Sequence, residues 1–356
     1  MDDTIRMRKE FTDMERKPLT REEVISVIEG KGKASRVPMY YHGWIAPGVF
    51  GENEAKAAQY LNDYPFDFEM MIPSMPDKYN APADDPGYRF MHRDPRPGEG
   101  ENKALDAQTS LDMEEIDDLI ADFPSADYHG YQNHQVGEKT KYRVLYWWYW
   151  LFERHWWLRG MENALMDFYE YPEETHKLYQ ALTDFYIKLI QNYKKQYDID
   201  GVFITDDIGT QQSSFFSLAI FCEFFKPYYA QLIKAAHEAG VHVWMHSCGN
   251  IQNFIPELIE IGLDVLHPIQ KYSMDEVKIA QEYGGQITFL AGLDVQQIIP
   301  NGTPEDVRRE VRHLIDTYSQ TNGRLIMTLG NQATPDCPVE NLLAFLDETY
   351  EYGKGK

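Results

Sequence analysis

The sequence predicts a (β/α)8 TIM barrel, and three observations carry that prediction. Strand-like apolar runs recur eight times. Most of them alternate with amphipathic helical patterns. The chain, at 356 residues, is long enough for one such barrel with insertions. Alternation argues for a parallel sheet, and eight strands argue for its closure.

The elements follow in order. Residues 1–35 read as a polar N-terminal helical extension, with Thr20 and Glu23 spaced as a capping box. Residues 36–356 form the single barrel domain. Its first two strands are expected at 37–42 and 66–72. Residues 73–135 break the alternation. They are rich in Pro, Gly and Asp, and are expected to form an insertion over the barrel mouth with one short helix near 110–121. Further strands are expected at 143–148, 201–205, 241–246, 264–267, 286–290 and 324–328. Long amphipathic helices are expected at 172–197 and 217–239, the second ending at Gly240. Shorter ones are expected at 251–261 and 273–283, each followed by glycine. Thr303-Pro304 opens the next helix with an N-cap and a proline at its first position. A last helix is expected at 338–352.

Composition narrows the function. There are 57 Asp and Glu against 34 Lys and Arg, a formal charge of −23. Nucleic acid and an anionic membrane are poor partners for such a chain. There is no apolar run of about eighteen residues and no signal-peptide core, so a soluble, cytoplasmic protein is expected. Three cysteines, Cys222, Cys248 and Cys337, form no paired framework.

In barrels of this type the chemistry sits at the C-terminal ends of the strands. Those positions hold His42 and Trp44, then Asp67, Glu69 and Met71, then the aromatic run from Tyr142 to Trp157 with Trp148 among it. After these come Asp206-Asp207, His246-Ser247-Cys248, His267 with Gln270, Asp294, and Asn331-Gln332. Residues two apart on a strand face the same side, so His246 and Cys248 converge as two zinc ligands would. The plain alternative is a hydrogen-bonded histidine beside a buried cysteine. Asp206 and Asp207 point to opposite sides, so one of them must face the mouth; the plain alternative for the pair is an N-cap for the next element. The aromatic run is core by default, with rings left over for a planar or bulky ligand.

The stretch from Phe203 to Gln270, the segment Ala291-Gly292-Leu293-Asp294 and the run from Leu329 to Asn341 resemble the uroporphyrinogen decarboxylase superfamily. The resemblance implies a (β/α)8 barrel and one of two chemistries. The decarboxylases carry Met-Arg-Gln-Ala-Gly-Arg after the first-strand proline and Leu-Gly-His-Gly near the last strand. This chain has Pro38-Met39-Tyr40-Tyr41-His42 and Leu329-Gly330-Asn331-Gln332 instead. The arginines that would bind substrate carboxylates are absent.

The corrinoid-dependent methyltransferase branch fits better. It implies zinc held by His246 and Cys248, with a later cysteine at about Gly330 or Asn331. That cysteine is absent, so Glu69, Asp206, Asp207 or His267 would complete the site. The implied reaction moves a methyl group from a small methylated substrate to Co(I) of a separate corrinoid-binding protein, because this chain carries no Asp-x-His-x-x-Gly corrinoid signature. Asp206, Asp207 and His42 are the expected catalytic residues. Trp44, Trp148, Asn331 and Gln332 are expected to bind substrate. The aromatic run favours an aryl methyl ether, an O-demethylase reaction. Two alternatives stand beside this: a metal-free lyase using Asp206 or Asp207, and a non-catalytic binding barrel.

Overall fold

The computed structural model describes residues 16–32, 34–73, 111–121, 123, 125–128, 131, 134–147, 150–320, 322 and 324–356. Seven parallel strands form one sheet in sequence order: β1 Phe68–Met71, β2 Tyr142–Trp147, β3 Gly201–Thr205, β4 His242–His246, β5 Val265–His267, β6 Thr288–Leu293 and β7 Leu325–Leu329. Helices separate them, so each crossover returns the chain to the same end of the sheet, the arrangement of a TIM-barrel-like α/β fold.

The expected first strand at 37–42 is reduced to a single parallel bridge, Met39 to Met327. Tyr40 N–H donates to Met327 O at 2.9 Å, and Met327 N–H donates to Pro38 O at 2.9 Å. On its other side this segment meets β1 through side chains. Asp67 is fully buried and accepts from Met39 N at 2.8 Å, from Leu19 N at 2.8 Å, and from the Arg36 guanidinium at 2.6 and 2.8 Å. A carboxylate therefore replaces ladder bonds at the seam. That is the physical reason the eighth strand stays short.

The sheet curls around a core of rings. Phe68 on β1 and Trp244 on β4 are not on neighbouring strands, yet their rings pack edge to face at 5.5 Å. Tyr40 touches Phe68, Phe203 and Trp244 at 5.3–5.8 Å. The interior is thus filled by aromatic side chains and is not a channel.

The helix Arg21–Ile28 starts at the Thr20–Glu23 capping box. Ile28 O accepts from Thr288 Oγ1 and Arg324 Nη2, and Arg21 pairs with Asp200. These partners all lie at strand N-termini, so the extension covers the end of the sheet opposite the mouth.

The helix Pro172–Tyr197 agrees with expectation at both ends. The helix expected at 217–239 is divided: Leu218–Ile220, a π-helical turn Phe221–Phe225, then Lys226–Glu238. Pro227, which has no N–H, sits in the first turn of the last piece, and the widened turn lies just before it. Within 73–135 the described residues include the turn Met113–Glu115 and the helix Ile116–Ala121, which is tied to the long helix by Asp117 and Lys177 at 2.8 Å. The rest of that insertion lies outside the described residues, as does Trp148. Among the described residues no helix is long and apolar enough to cross a membrane.

Candidate metal centre

The C-terminal ends of β3 and β4 bring three ligand types together. His246 is the last residue of β4, paired in register with Thr205 on β3 and His267 on β5. After β3 the chain continues alongside β4, with Asp206 N–H donating to His246 O at 2.9 Å. Adjacent carboxylates on an extended chain must diverge, and Asp206 and Asp207 do.

Asp206 turns inward, fully buried. Its oxygens accept from the backbone N–H groups of Leu151, Phe152 and Glu153 at 2.8–3.2 Å and from the Tyr229 hydroxyl at 2.5 Å. These are the orphan donors at the start of the helix Phe152–Arg159, so Asp206 caps that helix from another strand. Asp207 turns to the mouth. Its Oδ1 accepts from Cys248 N–H at 2.7 Å and lies 3.5 Å from His246 Nε2.

His246 Nε2 is 3.4 Å from Cys248 Sγ. Ligand atoms of Asp207, His246 and Cys248 all lie within 4.8 Å of one another. Tetrahedral zinc with ordinary Zn–N, Zn–S and Zn–O bonds places its ligand atoms about 3.4–3.6 Å apart. The two distances from Nε2 match that spacing, and one nitrogen, one sulfur and one oxygen are a donor set that could hold a metal ion.

Two glycine contacts allow the approach. Gly249 has φ +84°, and a Cβ there would lie 2.4 Å from the backbone of Gly209. A Cβ on Gly209 would lie 2.7 Å from Cys248 O. The loops carrying Asp207 and Cys248 therefore touch backbone to backbone.

Burial and nearby Asp207 push the Cys248 thiol well above its ordinary range. Sequence reading passed over Glu153, which is buried beside this site and accepts from Thr205 Oγ1 at 2.6 Å. Burial first, then Asp207 and Asp206, push its carboxyl well above the usual carboxylate range. An acid inside an aromatic run is the signal that could have found it, because a buried carboxyl needs a reason to be there. A cation among these groups removes the cost of ionising Cys248.

Asn331 stands against the sulfur. Its Nδ2 donates to Cys248 Sγ at 3.4 Å, while its Oδ1 accepts from Gln332 N–H at 2.7 Å. An amide thus occupies the neighbourhood where the resemblance implies a third cysteine. Cys337 is buried and donates to Pro338 O, at the start of the last helix. Trp44 is buried, with its ring stacked on His267 at 4.8 Å and tilted against His246 at 5.3 Å.

Other expected residues lie elsewhere. Glu69 is held by Arg143 at 2.6 Å. His42 is exposed, its ring tilted against Phe66 at 4.3 Å. Gln332 is exposed and contributes its backbone. Asp294 lies nearer, on the cleft beside Cys248, where it accepts from the N–H groups of Gln296, Gln297 and Ile298. His267 stands behind His246 instead of beside it: its Nδ1 faces His246 Nδ1 at 2.7 Å and its Nε2 faces Leu329 O at 3.0 Å. Both its nitrogens are engaged away from Cys248 and Asp207.

Beside Cys248 opens a cleft lined by Pro268, Gln270, Gly292, Gln296, Gly330 and Asn331, among others. Its walls also carry Lys271, Asp294 and Val295, so the cleft mixes glycine backbone and amides with one cation and one carboxylate. The described rings of the aromatic run are in the core instead: Trp150 stacks on Tyr229 at 3.9 Å, and Trp147 packs on Tyr131, Phe185 and Tyr186.

A parallel, curled α/β sheet with polar ligands at its strand ends defines the class. The chain belongs to the Uroporphyrinogen decarboxylase (URO-D) family, whose profile matches residues 158–352. It is 28% identical over 192 residues to a methylated-thiol–coenzyme M methyltransferase of Methanosarcina mazei, over 53% of this chain and 48% of that protein. It is 26% identical over 128 residues to the methylcobamide:CoM methyltransferase MtbA of the same organism, over 35% of each. The matches therefore span about half or less of the length of these curated relatives. A solved structure, a methyltransferase from Methanosarcina mazei, superposes with TM-score 0.61 at 13% identity, covering 94% of this chain and 99% of that one. At that identity the likeness is one of fold.

Proposed function

We propose that this protein is a methyltransferase that moves a methyl group from a small methylated substrate to Co(I) of a separate corrinoid protein, with zinc as Lewis acid. The observation that carries the reading is the convergence of His246 Nε2, Cys248 Sγ and an Asp207 oxygen at the strand ends. The similarity of half the chain to methanogen methyltransferases supports it.

The chain's own residues have defined tasks. His246, Cys248 and Asp207 would hold the metal as one neutral and two anionic ligands. Their two negative charges balance a divalent ion and leave a harder site than two thiolates would. When bound, zinc supplies Lewis acidity that stabilises the charge developing on the leaving atom. Asn331 holds the sulfur by a hydrogen bond. Trp44 covers the two imidazoles and keeps water from them. The donor's C–X bond breaks with its electron pair left on X, and the methyl carbon bonds to cobalt. Glu153, buried beside the site with its carboxyl pushed toward the neutral form by burial and by Asp207, is the residue we assign to return a proton to X.

The donor we assign is a small methylated compound bound in the cleft beside Cys248. Aryl methyl ethers remain the first class to assay, although Trp147 and Trp150, which pointed to them, lie in the core. The test has two readings. Purified protein should carry zinc at one ion per chain, lost in Cys248→Ala. A panel of methoxyarenes, methylamines and methyl thiols should give a methyl–cobalt absorbance with Co(I) corrinoid protein. Zinc-free protein that decarboxylates an acid would overturn the proposal in favour of a lyase. Tight ligand binding without turnover would overturn it in favour of a binding barrel.

A further inference from the structure

We infer that His267 is a positioning residue that holds His246 in the one tautomer able to bind metal. The inference rests on the zinc reading for its consequence, but its geometry stands apart from it. Three groups lie in a row: Leu329 O, the His267 ring and the His246 ring. His267 Nε2 is 3.0 Å from the carbonyl, and the two Nδ1 atoms are 2.7 Å apart.

The row has one direction. A carbonyl oxygen only accepts, so His267 Nε2 carries a hydrogen and donates it. The neutral imidazole then has a bare Nδ1, which must accept. The hydrogen between the rings therefore belongs to His246 Nδ1. A neutral His246 with its hydrogen on Nδ1 has a bare Nε2, and Nε2 is the atom 3.4 Å from Cys248 Sγ and 3.5 Å from Asp207 Oδ1. The backbone of β7 thus dictates, through His267, which nitrogen of His246 offers a lone pair.

The surroundings keep both rings neutral and oriented. His246 is 5% exposed and His267 is fully buried, so a charge on either ring would be taken out of water. Trp44 stacks on His267 at 4.8 Å, and the Phe203 ring meets it edge-on at 5.9 Å. The ring is packed on two sides and cannot turn without moving them. Metal-binding histidines commonly donate their other nitrogen to a carboxylate or carbonyl, which raises their basicity. Here a neutral imidazole takes that place and passes the demand on to a main-chain carbonyl. The ring nitrogen of His246 thus uses no carboxylate for its support, and the ligand set keeps its two anions.

The experiment uses full-length, metal-free protein with 15N-labelled histidine. Long-range 1H–15N spectra report which ring nitrogen carries hydrogen, and His246→Gln assigns the signal. Wild type should show His246 with a protonated Nδ1 and a bare Nε2. His267→Leu removes the acceptor, so His246 should move to the Nε2–H form. Chelator competition should then show Zn2+ binding about 10–100-fold weaker. His267→Asn places an amide oxygen where Nδ1 stood and should restore both the tautomer and most of the affinity. Near-ultraviolet circular dichroism confirms that each variant folds. If His267→Leu fails to fold, the wild-type and His267→Asn spectra still decide the matter. A wild-type spectrum with hydrogen on His246 Nε2 overturns the inference. So does a His267→Leu protein that keeps its tautomer and its affinity. Protein showing the expected tautomer without binding Zn2+ would sink the zinc reading and leave the tautomer assignment intact.

Discussion

Asp206 and Asp207 are neighbours in sequence with separate tasks, and one pair of variants tests that separation. Asp206→Asn keeps the size of the side chain but turns one oxygen into a donor. Oδ2 accepts from Leu151 N, Phe152 N and the Tyr229 hydroxyl, and Oδ1 accepts from Glu153 N. Whichever way the amide faces, its NH2 meets at least one fixed backbone N–H, and the helix start loses its countercharge. One or two unsatisfied buried donors at about 1–3 kcal/mol each give a loss of roughly 2–4 kcal/mol. For a chain of this length that is a fall in melting temperature of about 3–5 °C. Asp207 is more than a third exposed and faces Cys248 and His246. Asp207→Asn should melt within about 1 °C of wild type, since surface changes away from such features cost little. It should, however, bind Zn2+ at least about tenfold more weakly. The assays are thermal unfolding of metal-free protein and chelator competition. If Asp206→Asn melts like wild type, or if the two variants trade effects, the division of labour is mistaken.

Three other expectations follow from the same geometry. Gly249→Ala forces a Cβ to within 2.4 Å of the Gly209 backbone at a φ of +84°, so the loops must part. Stoichiometric Zn2+ should then be lost while far-ultraviolet circular dichroism is kept; full zinc occupancy would contradict the account. Arg36→Met strands Asp67 as a buried charge at the seam, and should cost about 3–5 kcal/mol in denaturant unfolding. Finally, the hydrogen bond to Asp264 raises the His237 pKa above its ordinary 6.5. The folded state then holds the proton more tightly than the unfolded one. That stabilisation is fully present below the unfolded value of about 6.5 and fades as pH rises through the folded one. His237→Gln should therefore flatten the decline in stability above neutral pH; an unchanged slope would count against the pairing.

The architecture was largely legible in the sequence because each element carries its own signal. The run at 201–205 is β-branched and apolar, and it folds as β3 with those bounds. Thr303 and Pro304 open a helix because they satisfy its first turn, whatever lies around them. His246 and Cys248 were legible as a pair for the same local reason: two residues apart on a strand is one face.

What sequence could not decide was everything set by neighbours from distant chain. Strand 37–42 looks like the others, but Asp67, some thirty residues on, takes a hydrogen bond that a ladder would have used. The two carboxylates at 206 and 207 are equivalent as text. Only the Leu151–Glu153 backbone, arriving from β2, claims one for the helix and leaves the other for the mouth. The aromatic run reads as core with rings to spare for a ligand, and only Phe185 and Tyr229 decide that Trp147 and Trp150 belong to the core. His267 reads as a candidate ligand, and only the fold sets its two ring nitrogens against Leu329 O and His246. Local pattern determines which elements form and which side chains share a face. The partner that each buried polar group finds is a long-range matter, and in this protein those partners separate the residues that would hold a metal from those that hold the fold.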